Sequence, residues 1–201
     1  MSPRLLAAGF VLVGGHSRRL GRDKTLLPLG GQPLALRTVE RLRPVVEELV
    51  LVGSPQRYAH LGLPVLADRV ADRGPLAGIV AALAATDYDW NLVVACDLPY
   101  LETRFFEFLL QQAAEKPASD ALVPYVGGFW QPLAAAYHRR GLPAFERVLA
   151  SGNPKIDRAF PNLRVETLTG ELLNQFAFPE RMFKNINTPE DYEEALRELG
   201  A

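Results

Sequence analysis

The sequence is poor in cysteine, in surplus charge and in long apolar runs, and each shortage excludes a class of protein. One cysteine, Cys96, stands among 201 residues, so no disulfide can form within the chain and nothing indicates an oxidising compartment. The formal net charge of -1 lacks the basic excess typical of a nucleic-acid-binding surface, so no nucleic-acid partner is expected. The remaining composition, 48% hydrophobic and 22% charged, is that of an ordinary globular domain.

The apolar run near the start of the chain, residues 5–13, is too short to span a bilayer. It could serve as a signal-peptide core, but Gly14 and Gly15 are followed by an arginine cluster rather than by a small-residue cleavage site. We therefore expect no membrane association and a cytoplasmic location.

Strands and helices are predicted to alternate along roughly the first half of the chain, which is typical of a doubly wound, mostly parallel α/β sheet. Apolar runs predict strands at 5–13, 45–52, 64–67 and 91–96, with helices between them. The second half is less regular and leaves room for an antiparallel edge strand. It carries predicted strands at 120–125, 131–137 and 163–168, helices at 143–150 and 154–160, and a final helix at 189–199. With no linker or repeat, one α/β domain over residues 1–201 is the simplest organisation.

A glycine turn rich in cations follows the first predicted strand. Gly14 and Gly15 allow a sharp turn and a close approach of the backbone to a ligand. Four cations follow in the same stretch: Arg18, Arg19, Arg22 and Lys24. Such a turn is typical of a phosphate site, although an ordinary βα connection with solvated arginines is the alternative. Its spacing matches neither the Walker A pattern nor the dinucleotide fingerprint, so another phosphate chemistry is needed.

Two aspartates follow predicted strands. Asp97 comes directly after the apolar strand 91–96, at the edge where α/β sheets hold ligands. A carboxylate there, opposite a cationic loop, suits Mg²⁺ shared with substrate phosphates, and a helix N-cap is the alternative interpretation. Asp68 also ends a strand, which would bring it to the same edge, with an N-cap or loop role as its alternative.

Five stretches of the chain, taken together and in order, resemble the motifs of the molybdenum cofactor guanylyltransferases, a family of the nucleotidyltransferase superfamily. They are residues 12–24, 74–78, 96–99, 131–133 and 187–191. The resemblance therefore runs along nearly the whole chain. The wider superfamily shares the first loop and the aspartate after the fourth strand.

The resemblance implies a Mg²⁺-dependent transfer of GMP from GTP to molybdenum-molybdopterin, which forms the guanine dinucleotide cofactor and releases pyrophosphate. It implies GTP and molybdenum-molybdopterin as substrates, and transient contact with cofactor-insertion proteins or apo-molybdoenzymes. The nucleotide-binding residues that it implies are Leu12, Val13, Gly14, Lys24, Asp68 and Asp97, with Asp97 also the metal ligand. The glycine turn adds Gly15 to this set. The pterin-binding residues would be Arg19, Asn185 and Asn187, with Lys155 near them.

Each catalytic role follows from the chemistry of nucleotidyl transfer, which depends on positioning and charge neutralisation. Backbone N–H groups at Gly14 and Gly15 would cradle the triphosphate. Lys24 would neutralise the negative charge that develops on the phosphate during transfer, and Asp97 would hold Mg²⁺. Arg19 would orient the terminal phosphate of the acceptor through a two-pronged contact.

Departures from the family pattern bear on the base that is transferred. Val13 replaces the usual Ala and Leu20 the usual Met, both apolar exchanges, while Gly53 and Ser54 stand where some relatives have an asparagine. The two adjacent glycines of the turn favour guanine, because cytidylyl-transferring relatives typically have Ala before the last glycine. The alternatives are a cytidylyltransferase or sugar-phosphate nucleotidyltransferase on the same fold, and a non-catalytic adaptor that binds nucleotide or cofactor.

The aromatic pair Phe129 and Trp130 follows a second glycine turn. Packing at a hairpin is the plain interpretation, because aromatic side chains mostly serve burial. A platform against the pterin is the alternative.

Overall fold

A computed structural model of the chain describes residues 5–14, 21–67 and 74–200. Gly15, Arg19 and Asp68, three of the residues predicted to act in the site, lie outside these ranges. The strands are β1 (Ala7–Leu12), β2 (Pro28–Leu29), β3 (Gln32–Pro33), β4 (Glu48–Val52), β5 (Val65–Leu66), β6 (Trp90–Ala95), β7 (Ala121–Val126), β8 (Phe129–Trp130), β9 (Ala134–His138) and β10 (Val165–Thr169). The α-helices are α1 (Leu34–Leu42), α2 (Pro55–Tyr58), α3 (Pro75–Ala85), α4 (Thr103–Glu115), α5 (Leu142–Ala150), α6 (Gly170–Gln175) and α7 (Pro189–Leu199).

The main sheet has the strand order β10-β7-β9-β6-β1-β4-β5, and most neighbours in it are parallel. This confirms the predicted α/β class and its mostly parallel sheet. Two strands run antiparallel to their neighbours: the short β8, which pairs with β7, and β9, which lies between β6 and β7 and not at an edge of the sheet. The direction of β9 follows from the short connection after β7, where β8 forms a hairpin, because parallel neighbours require a long crossover.

Helices cover both faces of the sheet, as the doubly wound class requires. On one face the apolar cluster includes Val39 of α1, Phe105 of α4 and Leu173 of α6. On the other face it includes Ile79 of α3 and Phe145 of α5. The strands between them are buried on both sides, which explains the apolar run of β1 and the run Leu92 to Ala95 of β6.

Two elements differ from the sequence-based expectation. The helix predicted over 154–160 is a 3₁₀ segment, Ile156–Asn162, which contains Pro161. Helix α6 was not predicted; it begins after Thr169, whose side chain accepts a hydrogen bond from the N–H of Leu172. It is short, so its apolar periodicity is weak, and its N-cap was the available signal.

A third, smaller cluster joins the C-terminal part of the chain to the β2–β3 hairpin. Leu29 of β2, Ile186 and Ala195 of α7 are buried together in it. The hydroxyl of Tyr192 donates to the carbonyl oxygen of Pro28 at 2.5 Å. This packing brings the segment before α7 beside the end of β6. Within the described ranges, no helix is long and apolar enough to cross a membrane.

Candidate active site

A cavity of about 530 Å³ opens at the carboxyl ends of the three neighbouring strands β4, β1 and β6. The chain leaves β1 toward β4 on one side and later returns to β6 on the other, so the cavity lies at the topological switch point of the sheet. Its lining includes Leu12, Val13, Gly14, Lys24, Val52, Gly53, Gly78, Cys96, Asp97 and Asn185. The structure therefore brings the glycine turn, Lys24 and Asp97 to one edge, as the order of the strands predicts.

Lys24 and Asp97 form an ion pair in this cavity. The Nζ atom of Lys24 donates to Oδ2 of Asp97 at 3.1 Å, and the two side chains are each 19% exposed. Lys24 also donates to Oδ1 of Asn187 at 2.7 Å. The other carboxylate oxygen, Oδ1 of Asp97, accepts a longer hydrogen bond of 3.3 Å from Nδ2 of Asn185. Both oxygens of Asp97 are therefore already engaged by the chain itself.

The two asparagines reach this pair because the segment before α7 is anchored between them. Ile186 is buried in the small C-terminal cluster, and its N–H donates to the carbonyl oxygen of Asp97 at 2.9 Å. In an extended chain residues two apart point to the same side, so Asn185 and Asn187 both face the ion pair. Asn187 is further fixed by its N–H, which donates to Oδ2 of Asp191 at 3.0 Å.

Asp191 belongs to the capping box that begins α7. Burial alone would raise the pKa of its carboxyl group. The hydrogen bonds from the backbone N–H groups of Asn187 and Thr188 outweigh burial, and the pKa lies below its usual value. The cap therefore stays charged near neutral pH and holds the asparagine segment in place.

Asp23 and Thr25 are site residues that sequence reasoning missed. Oδ1 of Asp23 accepts from the N–H of Thr25 at 3.0 Å and caps the 3₁₀ turn Lys24–Leu26. Oγ1 of Thr25, a fully buried residue, accepts from the N–H of Gly14 at 2.9 Å. The N–H of Gly14 is therefore donated to Thr25 in the protein without ligand, and its predicted part in cradling the triphosphate stays a prediction. An aspartate two residues before a threonine was the available signal, since this spacing suits a cap.

The turn at Gly14 is shaped by Tyr58 of α2. Gly14 has a φ of +102°, and a Cβ added to it would lie 3.3 Å from the Tyr58 hydroxyl oxygen. That hydroxyl donates to Oδ2 of Asp23 at 2.8 Å. Burial raises the pKa of Tyr58 to about 12, so its proton stays in place as a donor.

Gly53 closes β4 where the backbone of β1 passes very close to it. A Cβ added to Gly53 would lie 2.5 Å from the carbonyl oxygen of Val13. No side chain fits there without a shift of the backbone. This contact therefore requires a glycine in this structure, and Gly53 lines the cavity without a side chain.

Cys96 lies beside Asp97 but is not equipped to act as a nucleophile. Burial, and after it the charge of Asp97, raises the pKa of the thiol to about 12. The side chain is buried, and its Sγ atom lies 3.8 Å from Oγ1 of Thr25. Cys96 therefore fills space behind the ion pair.

Some of the remaining residues singled out in the sequence lie in the described part of the chain, and others lie outside it. Lys155 is exposed and does not line the cavity. Phe129 is 73% exposed at the β7–β8 hairpin, whereas Trp130 makes edge contacts with Tyr125 and Phe160. The packing interpretation therefore describes Trp130 well. Arg18 and Leu20 lie outside the described residues, as do Gly15, Arg19 and Asp68, and the roles predicted for the last three stay predictions.

No three His, Cys, Asp or Glu side chains of the described ranges come together as a ready-made metal centre. A single carboxylate in a polar cavity instead suits a hard cation that takes its other ligands from water and substrate phosphates, as Mg²⁺ does. Asp97 fits that requirement by its position and by its oxygen donors.

Comparison with known proteins agrees with the geometry. The family model described as a MobA-like NTP transferase domain matches residues 9–165. A probable molybdenum cofactor guanylyltransferase of Carboxydothermus hydrogenoformans is 36% identical over 93% of this chain and 93% of its own. A molybdenum cofactor guanylyltransferase of Pseudomonas putida is 33% identical, with 90% and 92% covered. The crystal structure of molybdopterin-guanine dinucleotide biosynthesis protein A from Archaeoglobus fulgidus superposes with a TM-score of 0.80 at 31% identity and covers 94% of this chain and 96% of its own.

Proposed function

The chain belongs to the MobA-like NTP transferase domain family, and from this premise we propose that it is a molybdenum cofactor guanylyltransferase. It transfers GMP from GTP to molybdenum-molybdopterin and releases pyrophosphate. The observation that carries the proposal is the pairing of Lys24 with Asp97 in the cavity at the switch point of the sheet. A cation and a metal-binding carboxylate side by side are what phosphoryl and nucleotidyl transfer require.

The chain's own residues supply position and charge. Lys24, a compact ammonium on a flexible stem, turns from Asp97 toward the phosphates when the nucleotide enters and balances the charge that develops on pyrophosphate. Leu12, Val13 and Gly14 form the wall against which the nucleotide lies. Asp97 would hold the metal ion, and Mg²⁺ bound there would supply neutralisation of phosphate charge and Lewis acidity. The acceptor phosphate is already an anion, so no nucleophilic side chain is needed.

The acceptor side is assigned to Asn185, Asn187 and Arg19. The two asparagines lie within hydrogen-bond distance of Asp97 and Lys24, so an acceptor that contacts them is held next to the reacting phosphate. Arg19 orients the terminal phosphate of the acceptor by a two-pronged contact. Asp68 is assigned to nucleotide binding. Because the N–H of Gly14 is donated to Thr25, the N–H of Gly15 is assigned to the triphosphate in its place.

The base is proposed to be guanine. The double glycine of the turn leaves the backbone at Gly14 without a Cβ, and Gly53, which also lines the cavity, carries no side chain. A purine needs more room than a pyrimidine, and backbone donors and acceptors are well suited to read its edge. The proposed setting is the cytoplasm, where the product passes to cofactor-insertion proteins or apo-molybdoenzymes.

The deciding experiment measures pyrophosphate release with GTP, CTP, ATP or UTP, with and without molybdopterin and Mg²⁺. The proposal expects release with GTP that requires both the acceptor and the metal ion. Equal turnover with CTP would overturn the guanine assignment, and a different acceptor requirement would favour another nucleotidyltransferase.

A variant of the metal-binding carboxylate separates an enzyme from an adaptor. Asp97→Asn should abolish pyrophosphate release while circular dichroism shows a folded protein, whereas the exposed Asp87→Asn should keep wild-type turnover. Unchanged function in Asp97→Asn would instead support a non-catalytic adaptor.

A further inference from the structure

Three successive hydrogen bonds join the hydroxyl of Tyr58 to the glycine turn. Tyr58 donates to Oδ2 of Asp23 at 2.8 Å, and Oδ1 of Asp23 accepts from the N–H of Thr25 at 3.0 Å. Oγ1 of Thr25 in turn accepts from the N–H of Gly14 at 2.9 Å. Helix α2, which follows β4, is in this way connected to the end of β1.

Two residues of this chain of hydrogen bonds are buried. Tyr58 is 1% exposed and Thr25 is fully buried, and the Asp23 side chain between them is 13% exposed, so the access of water to the hydrogen bonds that link them is limited. Arg57 also donates to Oδ2 of Asp23 at 2.6 Å, but its side chain is 51% exposed. An exposed ion pair of that kind contributes little, so the hydroxyl of Tyr58 is the stronger support.

Lys24 lies between the two residues that this network holds. Asp23 precedes it and Thr25 follows it, and its own carbonyl oxygen accepts from the N–H of Leu27 at 3.1 Å. The backbone of Lys24 is therefore fixed on both sides, and this fixes the position from which its side chain extends toward Asp97.

We propose that Tyr58 and Asp23 are positioning residues, which act through Thr25 to hold Gly14 and Lys24 in the geometry that receives the triphosphate. Neither residue lines the cavity, so neither is expected to touch the nucleotide or the acceptor. This inference rests on the proposed function for its consequence in catalysis, but the positioning itself is a property of the protein without substrate.

The first test measures hydrogen exchange of the Gly14 amide in the full chain by NMR, without any ligand. Tyr58→Phe keeps the ring and removes the donor, so we expect about tenfold faster exchange at Gly14, from the usual contribution of a hydrogen bond to a charged group. Tyr137→Phe is the matched control, because Tyr137 is equally buried and its hydroxyl donates to Pro132 instead. It should leave the exchange rate at Gly14 unchanged.

The second test is a double-variant cycle read as affinity for a non-hydrolysable GTP analogue. Tyr58→Phe should weaken binding about tenfold, Asp23→Ala by at least as much, and the double variant no more than Asp23→Ala alone. Such coupling is expected only if the hydroxyl acts through the carboxylate. A merely structural tyrosine would lower the melting temperature, as we expect of Tyr137→Phe, without coupling to Asp23.

Two results would overturn the inference: wild-type exchange of the Gly14 amide in Tyr58→Phe, or factors for Tyr58→Phe and Asp23→Ala that multiply in the double variant. Failure of the proposed function has a different signature. In that case the wild-type protein would release no pyrophosphate from GTP, while the exchange experiment would still decide whether Tyr58 positions the turn.

Discussion

The ammonium group of Lys24 lies 3.1 Å from Oδ2 of Asp97, and 73 positions separate the two residues in the sequence. The pair keeps a partly buried carboxylate neutralised in the protein alone. A divalent cation on the same oxygen would repel the ammonium strongly at such a distance. We therefore expect Lys24 and a metal ion to compete for Asp97, and a bound nucleotide to relieve the competition because its phosphates would offer Lys24 another partner.

Lys24→Met should strengthen metal binding while it weakens catalysis. Without the ammonium, Oδ2 of Asp97 is free, so we expect affinity for Mn²⁺, measured by EPR in the absence of nucleotide, to rise about tenfold. Turnover should fall about 10²- to 10³-fold, because a charge that stabilises the transition state is lost. Lys116→Met, which removes a surface ion pair with Glu166, serves as the control. Mn²⁺ affinity equal to that of the wild type would contradict the competition.

Asn187→Ala should impair use of GTP as well as of the acceptor. Asn187 accepts a hydrogen bond from Lys24 at 2.7 Å. Without this hydrogen bond, the ammonium group of Lys24 is no longer held at the position from which it is proposed to reach the phosphates. Steady-state kinetics should show kcat/KM for GTP reduced about tenfold. Asn153→Ala changes an exposed asparagine outside the cavity and should have no effect. A change confined to the KM of the acceptor would mean that Asn187 serves the pterin alone.

Gly53→Asn, which introduces the asparagine of some relatives, should harm this protein. The new Cβ would lie 2.5 Å from the carbonyl oxygen of Val13, so β1 or β4 must shift. We expect about 1–3 kcal/mol of lost stability by urea unfolding, together with weaker binding of GTP. Gly170→Asn is the matched control, since a Cβ there meets nothing within 4 Å. Tighter or more selective nucleotide binding by Gly53→Asn would contradict the inference that position 53 has no room for a side chain.

Asp120→Asn should destabilise the fold at neutral pH and less in acid. Burial alone would raise the pKa of Asp120, but hydrogen bonds from Arg164 and Arg140 hold it well below its usual range. A carboxyl group with a lowered folded-state pKa stabilises the fold above its unfolded pKa of about 4. That contribution is lost as the pH falls further toward the folded-state pKa.

Urea unfolding measures this contribution directly. At pH 7 the variant should be about 2 kcal/mol less stable than the wild type, because the charge-assisted hydrogen bonds of the buried Asp120 carboxylate to two partly exposed arginines are lost. The difference should shrink below about pH 4, where the unfolded chain binds the proton readily. Asp157→Asn, at an exposed position, should show no such difference. A difference that stays constant down to pH 2 would refute the ionic origin.

Much of this molecule was readable in the sequence. The apolar runs of β1, β4 and β6 and the order of helices between them predicted the sheet, because burial on both faces forces such runs. The same rule brought Lys24 and Asp97 to one edge, since the carboxyl ends of parallel strands meet there. The motifs also indicated Asn185 and Asn187, although not the groups that they contact.

Tertiary structure alone decided the contacts between elements that are distant in the sequence. The place of β9 inside the sheet, the hydrogen bonds from Asn185 and Asn187 to the ion pair, and the link from Tyr58 through Asp23 to Gly14 all depend on how elements pack. Periodicity reports which face of an element is buried, but not what it is buried against. The sequence therefore determined the class of fold and the chemistry of the site, whereas packing determined which N–H groups and carboxylate oxygens remain free for a ligand.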